Sequence, residues 1–178
     1  GIKLHLDGAR LFNALVATGD KAVNYGHYFD GISICLSKGL GAPVGSVFLS
    51  DKQTIKKATK IRKVLGGGMR QAGFLAAAGI YALDHHVNRL ADDHHHAKAL
   101  AEALSSSSFV SSVMPVETNI VLFDVAPNLK AEQVVKAFEA KGVWCNTTSP
   151  KTIRLVTHLD VSPSMIDQTI QIIKNLTI

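Results

Sequence analysis

Lys38 stands in Ser37-Lys38-Gly39, directly after the apolar run at residues 31–36 and directly before a glycine-rich stretch. A lysine just past a strand's end projects into the crevice where α/β sheets place ligands. Burial there weakens an amine's preference for its charged form, which suits Schiff-base chemistry. A solvated loop lysine has the same local sequence, and spacing by itself does not separate the two. Asp7 closes another strand-like run, in Asp7-Gly8-Ala9-Arg10. A carboxylate at that position either caps the helix expected over 9–18 or serves a ring nitrogen or a metal. Arg10 opens the same helix, where the macrodipole disfavours a cation. A cation in a locally unfavourable place suggests a task such as gripping a carboxylate in a fork.

Two further patterns lead to weaker chemistry. Gly39, Gly41 and Gly45 give G-x-G-x-x-x-G, one residue too long for the dinucleotide fingerprint, and Pro43 and a strand follow where a helix is required. A Rossmann site is therefore rejected. His85, His86, His94, His95 and His96 place five of the eight histidines within twelve residues, among Asp84, Asp92 and Asp93. They lack H-E-x-x-H spacing and read as the solvated face of a helix, not a metal site.

The elements that must position these residues follow from periodicity. Strands are expected at 2–6, 31–36 and 44–49, with a helix at 9–18 carrying Leu11, Phe12, Leu15 and Val16. That order implies an α/β sheet covered on both faces. A cationic helix follows at 51–62, broken by Gly66-Gly67-Gly68. The Ala-rich segment 69–83 reads as a helix buried all round. A long amphipathic helix runs from about residue 88 to Leu104 and ends at four serines. Beyond it come strands at 118–125, 143–146 and 152–157, a helix at 131–141 closed by Gly142, and a helix at 164–175 capped by Ser162-Pro163. The second part reads as a small α+β domain. The expected organisation is 1–87 for the end of a larger α/β domain and 88–178 for the small one.

Composition narrows the function classes. The chain has 178 residues, 47% hydrophobic and 19% charged, with a net charge of +5. Its densest basic run, 52–63, lacks aromatics, which argues against nucleic acid. Cys35 reads as a small buried hydrophobe, and two distant cysteines point to a reducing cytosol rather than a disulfide framework. No apolar stretch is long enough for a bilayer. The chain opens at once on a strand-like segment, which suggests a missing upstream part.

Four segments, in order, carry a family resemblance: His5-Leu6-Asp7-Gly8-Ala9-Arg10; Leu36-Ser37-Lys38-Gly39-Leu40-Gly41-Ala42-Pro43-Val44-Gly45-Ser46; Gly66-Gly67-Gly68-Met69-Arg70-Gln71-Ala72-Gly73; and Arg154-Leu155-Val156-Thr157-His158. Together they resemble the low-specificity L-threonine aldolases, and the first alone is shared with related β-eliminating lyases. The resemblance implies a fold-type-I enzyme dependent on pyridoxal 5'-phosphate (PLP), built as a large α/β domain with a small C-terminal domain and assembled as a tetramer. It assigns Lys38 as the Schiff-base lysine and Asp7 as partner of the pyridinium nitrogen. Arg10 and Arg154 would hold the substrate carboxylate, and Arg70 and Lys63 would reach the cofactor region of a neighbouring subunit. The activity implied is aldol cleavage of L-threonine or L-allo-threonine to glycine and acetaldehyde.

The resemblance also shows what is missing. Family members carry about as much chain again before Asp7, supplying the phosphate loop, the residue stacked on the ring and a histidine near the β-hydroxyl. The N-terminal half of the same protein is thus an expected partner, and the chain by itself is expected not to hold PLP productively. Two alternatives remain at this level: another PLP-dependent β-eliminating lyase, and an inactive piece acting only in assembly.

Overall fold

The computed structural model describes all 178 residues, Gly1–Ile178. They divide into two compact units, Gly1–Leu90 and Ala91–Ile178.

The first unit contains β1 (His5–Gly8), α1 (Leu11–Thr18), α2 (Ala22–Tyr25), β2 (Gly31–Cys35), β3 (Ser46–Ser50), α3 (Lys52–Val64) and α4 (Gly73–His85). Its sheet has the order β1-β2-β3. β1 and β2 run parallel, with Asp7 opposite Ser33, and β2 pairs antiparallel with β3. α1 packs Leu11 and Leu15 against Ile32 of β2. A second cluster joins Leu36, Leu40 and Ala42, in the turn after β2, to Ala82 and Leu90. Asp51 caps α3 by accepting from the backbone N–H groups of Gln53 at 2.8 Å and Thr54 at 3.0 Å, satisfying two donors that a helix start leaves open.

Two expectations fail in this unit. The sheet is not covered on both faces: Val47, Phe48 and Leu49 of β3 are exposed. Nor is α4 buried all round, since only Gly79 and Ala82 are buried while Phe74, Ile80 and Tyr81 lie open. The helix approaches Leu36 closely at Gly79, where an added Cβ would meet Leu36 Cδ1 at 3.0 Å. Leu75, Ala78 and Leu83 are half-buried, and the rest of the helix is exposed.

The second unit holds most of α5 (Leu90–Ser105), then β4 (Val110–Val113), β5 (Ile120–Val125), α6 (Ala131–Glu139), β6 (Asn146–Thr147), β7 (Thr152–Val156) and α7 (Pro163–Asn175). The sheet order is β4-β5-β7-β6, antiparallel throughout. Alternation along β5 and β7 sends Val121, Phe123, Val125, Ile153 and Leu155 to one face. There they meet Leu100 and Leu104 of α5, Val134 and Phe138 of α6, and Ile166 and Ile173 of α7. Each such side chain, fully buried, contributes about 1.5–3 kcal/mol. Gly142, at φ 81°, turns the chain after α6 as expected. Ser162 caps α7, its Oγ accepting from Met165 N–H at 3.3 Å.

β4 was not legible because Val110-Ser111-Ser112-Val113 offers little apolar alternation. Its serines bind β5 instead, Ser111 Oγ donating to the carbonyls of Asp124 and Val125. The strand expected at 143–146 shrinks to Asn146–Thr147, since the chain spends 143–145 leaving the turn and burying Cys145. No helix of the chain is long and apolar enough to cross a membrane.

Candidate active site

β1 and β2 run parallel, so their carboxyl ends lie at one end of the first unit's sheet. Asp7 occupies the penultimate position of β1, and Lys38 follows β2 by three residues. That end of an open α/β sheet is where ligands bind. The Asp7 side chain is exposed and does not cap α1, whose N-cap is Arg10 with no side-chain cap bond. The capping role left open by the sequence is therefore not the one Asp7 performs.

Gly8 explains why the two strands can approach beside Asp7. A Cβ there would lie 2.7 Å from the Ser33 carbonyl oxygen and 3.2 Å from Leu11 Cβ. Backbone on one side and a buried helix on the other leave no easy relief. Gly8→Ala is expected to cost about 1–3 kcal/mol of stability, the usual range for overpacking. Thermal denaturation reads it, and an unchanged Tm would show that β1 can simply move aside.

The Lys38 turn is anchored on both sides. Leu36 N–H donates to the Gly45 carbonyl at 2.9 Å, Ala42 N–H to the Leu36 carbonyl at 2.9 Å, and Gly41 N–H to the Lys38 carbonyl at 2.9 Å. Gly41 and Gly45 take positive φ of 70° and 119°, which a side chain would resist. A Cβ at Gly39 would meet Asn13 Oδ1 at 2.9 Å and Leu90 Cδ2 at 3.1 Å. Lys38 thus projects from a rigid, buried base, but its own side chain is exposed. The expected burial of the amine is not found: Ser37, Lys38 and Gly41 are all exposed.

Cys35, at the end of β2, is half-buried rather than buried. Desolvation pushes its thiol up, but hydrogen bonds with Ser37 and Ser46 and the Lys38 charge outweigh that and hold it below its ordinary value. Cys145 is the opposite case, its thiol pushed up to about 11 by burial and the Glu139 charge.

His86, read from sequence as part of a solvated helix face, is half-buried. It donates from Nδ1 to the Leu40 carbonyl at 2.6 Å, which ties the end of α4 to the Lys38 turn. Tyr81 packs against it edge-on, with ring centroids 5.4 Å apart. The contact spans 46 residues of sequence, and no local pattern encodes it. The solvated-face reading of the histidine run is also corrected: His94 and His96 are buried, and burial lowers the pKa of His94. α5 turns these positions inward, so polar identity misjudged the face. No three His, Cys, Asp or Glu side chains gather into a group able to hold a metal ion.

Lys63 and Arg70 bracket the glycine turn after α3, and both are exposed. Gly66 has φ 81°, and Gly67 N–H donates to the Arg62 carbonyl at 2.8 Å. Gln71, next to Arg70, is the one non-glycine residue at positive φ, 49°. Non-glycine residues hold that conformation at a cost, and such positions cluster at functional sites. Arg10 is half-buried at the start of α1.

Arg154 belongs to the second unit. It lies in β7 between Leu122 of β5 and Asn146 of β6, on the sheet face opposite the core. Its Nε is out of contact with solvent and has no hydrogen-bond partner. A buried donor left unmatched is costly and calls for an explanation. A cavity of about 370 Å³ elsewhere in this unit, under Trp144 and His158, is lined by none of the expected site residues.

The sequence profile of the beta-eliminating lyases matches residues 1–128. The chain is 47% identical over 165 residues to a probable low-specificity L-threonine aldolase 2 of Arabidopsis thaliana, covering 91% of this chain and 46% of that protein. It is 47% identical over 161 residues to the low specificity L-threonine aldolase of Escherichia coli strain K12, covering 90% and 47%. The chain spans about half the length of the curated relatives it matches. Among solved structures, a putative L-allo-threonine aldolase from Listeria monocytogenes EGD-E superposes with a TM-score of 0.79 at 21% identity, over 99% of this chain and 53% of that one. A Leishmania major threonine aldolase gives 0.80 at 20% identity, over 99% and 52%. The structures support the fold, and the sequence match, which takes in Asp7, Lys38 and the glycine turn, goes further: the chain belongs to the beta-eliminating lyase family.

Proposed function

We propose that this chain is the C-terminal half of a PLP-dependent threonine aldolase, cleaving L-threonine and L-allo-threonine to glycine and acetaldehyde. The observation that carries the reading is Asp7 and Lys38 at the carboxyl ends of adjacent parallel strands, in a chain 47% identical to proteins named for that activity. On this reading residues 1–87 complete the large domain and 88–178 form the small one.

The residues present fit PLP. An exposed amine on a rigid turn, an exposed carboxylate at the neighbouring strand end and a close-packed glycine beside it suit an aldehyde, a ring nitrogen and a flat ring. Lys38 and Asp7 would hold the cofactor, with Lys63 and Arg70 reaching that of a neighbouring subunit. Bound there, PLP supplies an electron sink for the breaking bond. Asp7 keeps a proton on the pyridine nitrogen, which maintains the sink. Arg10 and Arg154 grip the substrate carboxylate, and that grip selects which bond at the α-carbon is aligned to break. The proton of the β-hydroxyl must leave to a base from the N-terminal half. The exposed apolar residues of α3, α4 and β3 support burial against that half and against further copies in a homotetramer. Two free thiols accord with a cytoplasmic enzyme.

The test is product identity. The intact polypeptide, loaded with PLP, is given threonine, allo-threonine and serine. Acetaldehyde and glycine from the first two are expected. Ammonia and a keto acid would instead indicate β-elimination, the chemistry named by the wider family.

A further inference from the structure

On the Arg154 face of the second unit lies an acidic side chain that ought to compete for Arg154. Asp124 of β5 pairs with Thr152, and Leu122 pairs with Arg154. Asp124 and Arg154 are therefore diagonal neighbours on one face of an antiparallel pair. Such positions are separated by about 7 Å, within the reach of a long side chain. Both are half-buried, where opposite charges attract more strongly than in water. Yet the structure shows no ion pair between them, and Arg154 Nε stays unpartnered.

The reason is visible at the carboxylate. Asp124 Oδ1 accepts from Thr152 Oγ1 at 2.6 Å, and Oδ2 accepts from Ser112 Oγ at 3.2 Å. Thr152 Oγ1 in turn accepts from Ser149 Oγ at 2.9 Å, which directs the threonine proton toward Asp124. Both carboxylate oxygens are thus occupied by hydroxyls held on neighbouring strands. The Thr152 bond is a short, charge-assisted one, the Ser112 bond is longer, and together they turn the acid away from the arginine.

We infer that Thr152 and Ser112 sequester Asp124 so that Arg154 stays open for the carboxylate of an incoming amino acid. This rests on the reading of Arg154 as a substrate arginine. Thr152, Ser112 and Asp124 are positioning residues: none touches substrate, and each acts through Arg154. Removal of a hydroxyl frees Asp124 to swing to the guanidinium and compete with substrate from within the protein.

The experiment uses the intact PLP-loaded enzyme and two readouts, KM for threonine and the dissociation constant of glycine by calorimetry. Thr152→Val preserves the side chain's shape and is expected to weaken both roughly two- to fivefold, the size of a modest ion pair, with kcat little changed. Ser112→Ala, on a separate strand, should act in the same direction and stands in if Thr152→Val does not fold. Asp124→Asn added to either variant should restore both values, a rescue that simple damage to the sheet would not give. Equal glycine binding by wild type and both hydroxyl variants, or weakening that Asp124→Asn leaves in place, would overturn the inference while the aldolase reading stands. If wild type neither binds glycine nor releases acetaldehyde from threonine, the aldolase reading falls and the inference with it.

Discussion

Lys38→Ala in the intact enzyme should lower threonine cleavage by roughly 10³-fold or more, the scale seen when an essential acting group is removed. The argument is positional. Three backbone hydrogen bonds brace the turn around Lys38: Leu36 N–H to Gly45, Ala42 N–H to Leu36, and Gly41 N–H to the Lys38 carbonyl. Leu36, Leu40 and Ala42 are buried beneath it, so alanine should leave the turn intact and remove only the amine. The same turn is pinned from α4 by His86. Borohydride treatment of wild type should fix PLP to the peptide containing Lys38, and the alanine variant should not be labelled. An alanine variant that keeps turnover within about tenfold of wild type would end the assignment, because loss of the amine that carries the chemistry cannot leave turnover so little changed. Lys38→Arg separates charge from nucleophilicity. It keeps a cation at the strand end but cannot react as an amine, and should be as inactive as alanine.

How far the sequence leads depends on whether a residue's partners lie nearby in the chain. β1, β2, β3, α1 and α3 follow from periodicity and from caps such as Asp51, and the structure moves their ends by only a few residues. The strand-end positions of Asp7 and Lys38 were legible because each sits where an apolar strand gives way to glycine, a local signal with a topological consequence. The His86 contact to Leu40 was not, since hydrogen bonds across 46 residues leave no spacing to read. The burial of α4 was misjudged for a different reason. Its composition is apolar all round, but only Gly79 and Ala82 are buried, packed on the cluster of Leu36, Leu40 and Leu90. Lys38 likewise lies exposed, since a strand end specifies where a side chain emerges and not what covers it. The family motifs reach further than periodicity because they mark residues that no local pattern distinguishes. They singled out Arg154, which by pattern is an unexceptional strand residue, and the structure gives that residue an unpaired Nε.

Arg154→Met should raise KM for threonine about 10²- to 10³-fold, the cost of truncating one partner of a partly buried charge pair. Methionine preserves most of the apolar stem at the position paired with Leu122 and Asn146, so the sheet is spared and the loss is that of the fork. An interaction made equally with bound substrate and with the transition state lowers affinity and leaves kcat nearly unchanged. Because the carboxylate grip also orients the α-carbon, kcat should fall as well, but by less than KM rises. Arg154→Lys discriminates between the two contributions. It restores a positive charge without a planar pair of donors, and should recover part of the affinity while orientation stays poor. If KM for Arg154→Met stays within about twofold of wild type, Arg154 does not hold substrate. Its unmatched Nε would then belong to another partner, and the shielding of Asp124 by Thr152 and Ser112 would lose its purpose along with it.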